Sequence, residues 1–173
     1  MNDYKICSRC VMDTSDAKIK FDKDGVCDHC LAFDKNILPV WNFGQGREKQ
    51  LKEIVDKIKQ SSKGKDFDCI LGMSGGIDSS YLLYLVTKKL DLRPLVFHVD
   101  AGWNSQIAVN NIEKLVDGLG LDLYTEVIDW EEMKDLQRSF FKSGVPHVDT
   151  PQDHAFFATM YKFASNYNIK NII

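Results

Sequence analysis

Apolar and polar positions along this chain follow two alternating rhythms. Short apolar runs are separated by stretches in which apolar residues recur every three or four positions, the period of an amphipathic helix. Asp68–Ser74 is the first apolar run and predicts a strand, followed by a helix over Ser79–Leu90. Leu92–Asp100, rich in Val, Leu and Phe, predicts a second strand. Ser105–Leu119 then reads as a helix through Ala108, Ile112, Leu115, Val116 and Leu119, with Gly118 and Gly120 near its end. Leu121–Ile128 is a third strand. Asp129 is placed to cap the next helix, with Glu132 three residues on and Met133, Leu136 and Phe140 facing inward. Thr150-Pro151-Gln152-Asp153 reads as cap, proline and acid of a last helix, whose apolar positions are Phe156, Phe157, Met160, Phe163, Ala164 and Tyr167. Ile169–Ile173 opens a fourth strand.

Such alternation predicts an α/β fold, a parallel sheet with helices on both faces. Ligands of such sheets bind at the carboxyl ends of the strands. Three stretches fall there: the loop Ser74–Ser80, the turn Asp100-Ala101-Gly102-Trp103 and the corner Ile128–Trp130. The chain stops within the fourth strand, with no helix after it. The expectation is therefore the N-terminal portion of a longer protein.

Upstream the rhythm changes. Gly46–Gln60 carries Leu51, Ile54, Val55 and Ile58 on one helical face. Leu31–Gln45 is a connector whose aromatics Phe33, Trp41 and Phe43 are expected to dock a small module onto the larger one. That module is residues 1–45, and the nucleotide-type domain is 46–173. Its organising feature is Cys7-x2-Cys10 and Cys27-x2-Cys30, with sixteen residues between the pairs. This spacing matches a tetrathiolate zinc site. About thirty residues cannot bury a sufficient core, so metal would supply the folding energy. Lys18–Phe21 reads as a short strand and Asp24-Gly25 as a turn into the second knuckle. An iron–sulfur cluster and unliganded thiols are the alternatives to zinc. His29, inside the second knuckle, is surplus to four thiolates and reads as a surface residue.

Composition narrows the class. With 44% hydrophobic and 27% charged residues the chain is globular, not disordered. No apolar run reaches the roughly 20 residues of a membrane span, and Met1-Asn2-Asp3-Tyr4-Lys5 does not begin a signal peptide. The expected compartment is the cytoplasm, where disulfides are rare. Residues 66–173 carry 9 Lys+Arg against 15 Asp+Glu, which argues against a nucleic-acid surface. Residues 46–65 are locally basic, 7 against 3, and read as a solvated helix face.

The candidate chemistry is in Ile70-Leu71-Gly72-Met73-Ser74-Gly75-Gly76-Ile77-Asp78-Ser79-Ser80. A buried strand, a glycine turn and a helix start gather free backbone N–H groups at the positive end of a helix, an anion site. It is not a Walker A motif, because no Gly-Lys-Ser/Thr follows at the required spacing. Ser74-Gly75-Gly76-Ile77-Asp78-Ser79-Ser80 resembles the PP-loop of the ATP pyrophosphatases, which include NAD synthetase, GMP synthetase, argininosuccinate synthetase and tRNA thiolation enzymes. That resemblance implies ATP cleaved between the α and β phosphates. Cys7-Ser8-Arg9-Cys10-Val11-Met12-Asp13-Thr14, Phe97-His98-Val99-Asp100-Ala101-Gly102-Trp103-Asn104 and Thr150-Pro151-Gln152-Asp153-His154 narrow it. Together with the loop they resemble the N-acetyl sugar amidotransferases of surface-polysaccharide and flagellin-sugar biosynthesis, across essentially the whole chain.

The resemblance implies an acetamido oxygen of a nucleotide-linked sugar activated by ATP and Mg²⁺, with ammonia displacing AMP to leave an acetamidine. Gly75 and Gly76 amides and Ser74, Ser79 and Ser80 hydroxyls would hold pyrophosphate. Asp78 would hold the loop or position Mg²⁺, or simply stabilise the first helical turn. His98, Val99 and Asp100 would meet adenine and ribose, although His98 by itself reads first as a satisfied strand histidine. Asp153 and His154 would stand near the sugar, Asp153 doubling as a capping acid. Cys7, Cys10, Cys27 and Cys30 would hold Zn²⁺. With four cysteines so committed and Cys69 inside a strand, no glutaminase nucleophile is evident. The family then implies a separate glutaminase subunit and a cyclase-like subunit passing ammonia on. Competing readings are a tRNA-thiolation enzyme and a non-catalytic zinc-ribbon binding module.

Overall fold

The computed structural model describes residues 4–41, 44 and 46–173. It divides into two compact units, Met1–Leu51 and Lys52–Ile173.

In the first unit, the cysteine knuckles sit on two short antiparallel pairings, Ile6 with Asp13 and Phe21 with Cys27. The expected strand over Lys18–Phe21 shortens to that single pairing at Phe21. The Asp24-Gly25 turn forms, with Gly25 N–H donating to the Asp22 carbonyl (3.1 Å) and Asp22 N–H to Val26 (2.9 Å). A short helix α1 (Asp28–Ala32) begins within the second knuckle, with Cys27 as its N-cap, and widens into a π-helical turn, Phe33–Ile37. Phe33 and Trp41 meet edge to face at 5.7 Å, whereas Phe43 lies outside the described residues.

Helix α2 (Arg47–Ser61) spans the boundary between the units. Its expected apolar face is only partly used: Val55 is buried and Ile58 packs beside it, but Leu51 and Ile54 are exposed.

The second unit is a three-stranded parallel sheet in the order β1 (Cys69–Gly72), β2 (Pro94–Asp100), β3 (Leu123–Val127). Cys69 pairs with Pro94 and Val96 with Leu123. Helices α3 (Ile77–Tyr84, running into a π turn Leu85–Lys89) and α4 (Gln106–Leu119) make the β1–β2 and β2–β3 crossovers. Helices α5 (Trp130–Ser143) and α6 (Thr150–Asn166) follow β3.

Because side chains alternate across a strand, successive residues feed two cores. Cys69, Leu71 and Val96 pack with Leu83, Val86, Ile112 and Val116 of the α3–α4 layer. Ile70, Leu95, Phe97 and Val99 pack on the other face with Met160, Phe163 and Ala164 of α6. Burial on both faces explains the unbroken apolar runs.

The expected fourth strand begins. Ile172 pairs in parallel with Ile70, Ile70 N–H donating to Asn171 and Ile173 N–H to Ile70, each at 3.0 Å. This segment lies on the edge of β1 opposite β2. The chain therefore leaves β1 in one direction and returns on the other side, which makes the carboxyl end of β1 a topological switch point.

Asp68 pins the entrance of the sheet. Its carboxylate accepts from Arg93 Nε (3.1 Å), Nη2 and backbone N–H (2.8 Å each), and from Ser62. This ties the start of β1 to the start of β2 and to the segment after α2.

Three helix expectations need correction. On α5 the buried positions are Met133 and Gln137, whereas Leu136 is exposed and Phe140 half-buried. On α6, Phe157 and Tyr167 are exposed. Thr150 is not the cap of α6: Asp149 holds that position without a side-chain bond, and the Thr150 hydroxyl donates to the His147 carbonyl at 2.9 Å. A hydroxyl satisfied by the preceding turn is not available to N–H groups ahead of it.

Candidate functional site

The sheet places the loop Met73–Gly76 at the switch point. Met73 N–H donates to the Phe97 carbonyl (2.8 Å), which carries the β1–β2 ladder one step past β1. Gly76 is the N-cap of α3 and has no side chain to cap with. The amides of Ile77, Asp78 and Ser79 find no acceptor among the described residues, although Ser80 N–H reaches the Gly76 carbonyl (3.1 Å). Helices α4 and α5 differ: Ser105 Oγ accepts from Ala108 N–H (3.2 Å) and Asp129 from Glu132 N–H (2.9 Å), both as their sequences predict. The α3 terminus is thus the uncapped one at the switch point, with its dipole's positive end open.

The loop's serines engage one another. Ser74 Oγ lies 3.0 Å from Ser79 Oγ, and Ser80 Oγ donates to the Gly76 carbonyl at 2.6 Å. Gly75 has a different task. Its φ is +76°, and a Cβ there would stand 2.8 Å from Ala108 Cα of α4. Only glycine fits between loop and helix. Asn111 Nδ2, one turn further along α4, donates to the Gly75 carbonyl at 3.0 Å.

Two cavities flank this loop. The larger, about 540 Å³, opens toward α6 and is lined by Ser74, His98, Val99, Trp103, Asn104, Asp153 and others. Its apolar wall comes from Phe97, Phe156, Phe157 and Met160, with Gln152 and Ser105 among its polar groups. The smaller, about 350 Å³, lies between the loop and α4 and is lined by Gly75, Gly76, Ile77, Ser80, Asn111, Lys114 and Leu115.

Of the residues singled out in the sequence, Ser74, His98, Val99 and Asp153 meet in the larger cavity and Gly75, Gly76 and Ser80 in the smaller. Asp78, Ser79, Asp100 and His154 line neither. Ser79 closes the loop from within, and Asp100 Oδ1 accepts from Gly102 N–H (2.9 Å), shaping the turn after β2. His154 is exposed in the first turn of α6, beside Asp153.

His98 is buried and both its ring nitrogens are occupied. Nδ1 lies 2.8 Å from the Met73 carbonyl, which can only accept, so Nδ1 carries the proton. Nε2 then accepts from the Asn104 amide at 3.0 Å. The ring ties the end of β1 to the turn after β2. That is the satisfied strand histidine, set at the cavity wall.

Beyond that turn, Trp103 lines the cavity, meets Trp130 edge to face at 5.4 Å and donates its indole N–H to the buried Gln137. Gly102, at φ +86°, leaves room for the Trp130 ring, which a Cβ would meet at 2.8 Å or closer. The turn and the Ile128–Trp130 corner thus converge as their place at the sheet edge predicts. Sequence periodicity gives no sign of Asn104, Gln137, Asn111 or Lys114. The one available signal is position: Asn104 lies in the turn after β2, and Asn111 and Lys114 occupy helical positions i+3 and i+6 from Ala108.

The four cysteines of the first unit form one cluster, with all Sγ atoms within 4.8 Å of one another. Cys10 and Cys27 Sγ are 3.6 Å apart, too far for a disulfide. The edge of a tetrahedron of sulfurs about 2.3 Å from a zinc ion is roughly 3.8 Å. Arg9 and Cys27 amides donate to Cys7 Sγ (3.4 and 3.2 Å). Burial opposes the Cys7 thiolate, but amide donors, those of Arg9, Cys27 and Cys10 among them, prevail and bring it down to about 6. Cys30 is pushed up to about 12, first by its hydrogen bond with Cys10 and then by burial. Four thiolates so close cannot all ionise without a cation between them, and the donor set fits Zn²⁺. His29 stands outside the cluster and pairs with Asp16 at 2.9 Å, which raises its pKa. Cys69 is fully buried in β1, and burial pushes its thiol up to about 12. No helix among the described residues is long and apolar enough to cross a membrane.

No curated protein matches the chain. Solved structures show the same fold. A glutamine-dependent NAD+ synthetase from Acinetobacter baumannii, in complex with adenosine diphosphate, superposes with a TM-score of 0.54 at 20% identity. That match covers 70% of this chain and 23% of that one. An NMN synthetase from Francisella tularensis gives 0.51 at 21% identity, covering 73% and 52%. The chain therefore spans about a quarter to a half of these relatives' length. The family model described as the phosphoadenosine phosphosulfate reductase domain matches residues 68–168, from the Asp68 anchor to the end of α6. The chain belongs to the phosphoadenosine phosphosulfate reductase domain family, within the PP-loop ATP pyrophosphatase superfamily.

Proposed function

We propose that this chain carries the nucleotide site of an AMP-forming, ATP-dependent amidotransferase that converts an acetamido group of a nucleotide-linked sugar into an acetamidino group. The observation that carries the ATP part is the uncapped α3 terminus behind Ser74–Gly76 at the switch point. Three amides without partners in front of a helix dipole suit a polyphosphate. Holding the leaving pyrophosphate, rather than a transferred γ-phosphoryl group, makes AMP the product.

In the reaction, the amide oxygen attacks the α-phosphorus and the α–β bond breaks, releasing pyrophosphate. The amide N–H proton is lost and an O-adenylyl imidate remains. Ammonia adds to its carbon, the C–O bond breaks and AMP departs, leaving an amidinium. The loop amides take the charge on pyrophosphate. Asp78, in the first turn of α3, would hold the loop or help position Mg²⁺. The apolar wall of Phe156, Phe157 and Met160 suits a nucleoside, and Gln152 and Asp153 supply polar contacts at its rim. The protein's part is orientation and charge stabilisation. The cysteines of this stretch offer no free nucleophile, Cys69 being buried and the other four gathered in one cluster; the family resemblance implies ammonia from a separate glutaminase subunit through a cyclase-like partner.

The test incubates the protein carrying this chain with ATP, Mg²⁺, an ammonium salt and a nucleotide-linked N-acetyl sugar. AMP and pyrophosphate are expected only with the sugar, and a product about one mass unit lighter that is cationic at neutral pH. ADP in place of AMP would overturn the reading. AMP formed only with tRNA and a sulfur donor would establish thiolation instead.

A further inference from the structure

The loop Ser74–Ser80 contains no cation, and neither does the lining of the larger cavity. Pyrophosphate and the tail of a nucleoside triphosphate carry several negative charges. Backbone amides and one divalent ion leave much of that charge uncompensated. Residues 66–173 hold nine Lys and Arg. Arg93 is spent on Asp68 and Lys134 on Glu131. Lys114 alone of the nine lines a cavity that the loop also lines. Its side chain makes no ion pair or hydrogen bond with any described residue. It stands on α4 one turn from Asn111, on the side of the helix that meets the loop.

We propose that helix α4 forms the second half of the phosphate site, with Lys114 supplying the counter-charge for the β- and γ-phosphates and Asn111 setting the loop to receive them. This rests on the ATP reading above and deepens it. Asn111 acts through Gly75. By drawing the Gly75 carbonyl toward α4, it turns that oxygen away from the phosphates and holds the next peptide in place. Gly75 can accept this only because it has no Cβ to meet Ala108. Lys114 reaches into the same cavity as a flexible point charge, which suits polyphosphate more than a monophosphate. The α4 wall therefore discriminates by charge: it holds ATP and pyrophosphate but contributes little to AMP.

The experiment titrates Mg·ATP, Mg·pyrophosphate and AMP calorimetrically into the whole chain and into Lys114→Gln, Lys114→Arg and Asn111→Ala. Lys114 is exposed, so its variants should fold, and circular dichroism melts check this. Lys114→Gln should bind ATP and pyrophosphate about tenfold more weakly and lose part of the salt dependence, with AMP unchanged. Lys114→Arg should restore binding to within about twofold, since charge is what is required. Asn111→Ala should weaken the same two ligands while keeping the wild-type salt dependence. If wild type binds ATP and Lys114→Gln binds it and pyrophosphate equally well, the α4 proposal is wrong and the ATP reading stands. If wild type binds neither ATP nor pyrophosphate, both fall together.

Discussion

The two units build their candidate sites by opposite means. In the first, the four-cysteine cluster and the fold are one thing. Its described residues bury little besides Cys7 and Cys27, and its backbone pairs only at isolated points. Four sulfurs drawn to one centre do the work of a core. In the second, two apolar cores carry the fold. Two apolar layers bury β1 and β2 up to their last residues, and the candidate site is a gap left open at that end of the scaffold. A metal knuckle is therefore all motif. A glycine loop is a motif whose meaning depends on what packs behind it.

Removing one ligand should break this comparison most sharply. Structural zinc in small modules is bound with roughly 10–16 kcal/mol of apparent free energy, all of it folding energy. Cys27→Ser should lose the metal and unfold residues 4–41. Amide exchange across β1, β2 and α6 should stay slow. The measurements are metal content by elemental analysis and hydrogen exchange read separately over the two units. Metal retained at full occupancy in Cys27→Ser would rule out the tetrathiolate centre. Loss of protection in β2 would show that the second unit leans on the first.

The same contrast explains what the sequence could and could not convey. The four-cysteine cluster was legible from spacing alone because the paired knuckles bring the sulfurs together. In the second unit the strands, the α4 and α5 caps and the place of the glycine loop were equally legible, since each is a local preference read in chain order. What escaped is set by tertiary contact. Gln137 is buried because the Trp103 indole needs an acceptor, while its apolar neighbour Leu136 is exposed. Thr150 looks like a cap but gives its hydroxyl to His147. That His98 is a satisfied strand histidine was legible, but its partners, Met73 and Asn104, were not. Gly75 reads as a residue that lets phosphate approach, yet its close neighbour is Ala108 of α4. No period of two or 3.6 encodes such pairings.

A smaller change should separate scaffold from site within the second unit. Gly75→Ala places a Cβ at φ +76° against the Ala108 backbone. Strain and displacement together should cost about 3 kcal/mol. The cost falls on the loop, so the two cores should persist while Mg·ATP affinity drops by more than tenfold. Urea unfolding monitored by tryptophan fluorescence, alongside calorimetric titration, checks both halves. Unchanged affinity would mean that the loop's seat on α4 is irrelevant to nucleotide binding.

The smallest effect tests the scaffold alone. Asp68 sits far down the strand from the loop, at the start of β1. Burial works against its charge, but Arg93 and Ser62 outweigh that, so its carboxyl lies below the ordinary aspartate range. Asp68→Asn should cost about 2 kcal/mol, less than a wholly buried pair, because the Arg93 side chain is 54% exposed. A carboxyl depressed in the folded state contributes its full stability above its unfolded pKa, near 4. It loses that contribution as pH falls through the lower folded value. The gap in urea midpoint between wild type and Asp68→Asn should therefore be constant from about pH 7 to 5 and narrow below about pH 4. Neutral Asp68 then resembles the asparagine that replaces it. Subtracting the variant cancels the acid sensitivity of the thiolate cluster, which both proteins share. Metal content and nucleotide affinity should match wild type at neutral pH. A gap that persists undiminished at pH 3 would show that Asp68 stabilises the sheet through shape and neutral hydrogen bonds, and not through its charge.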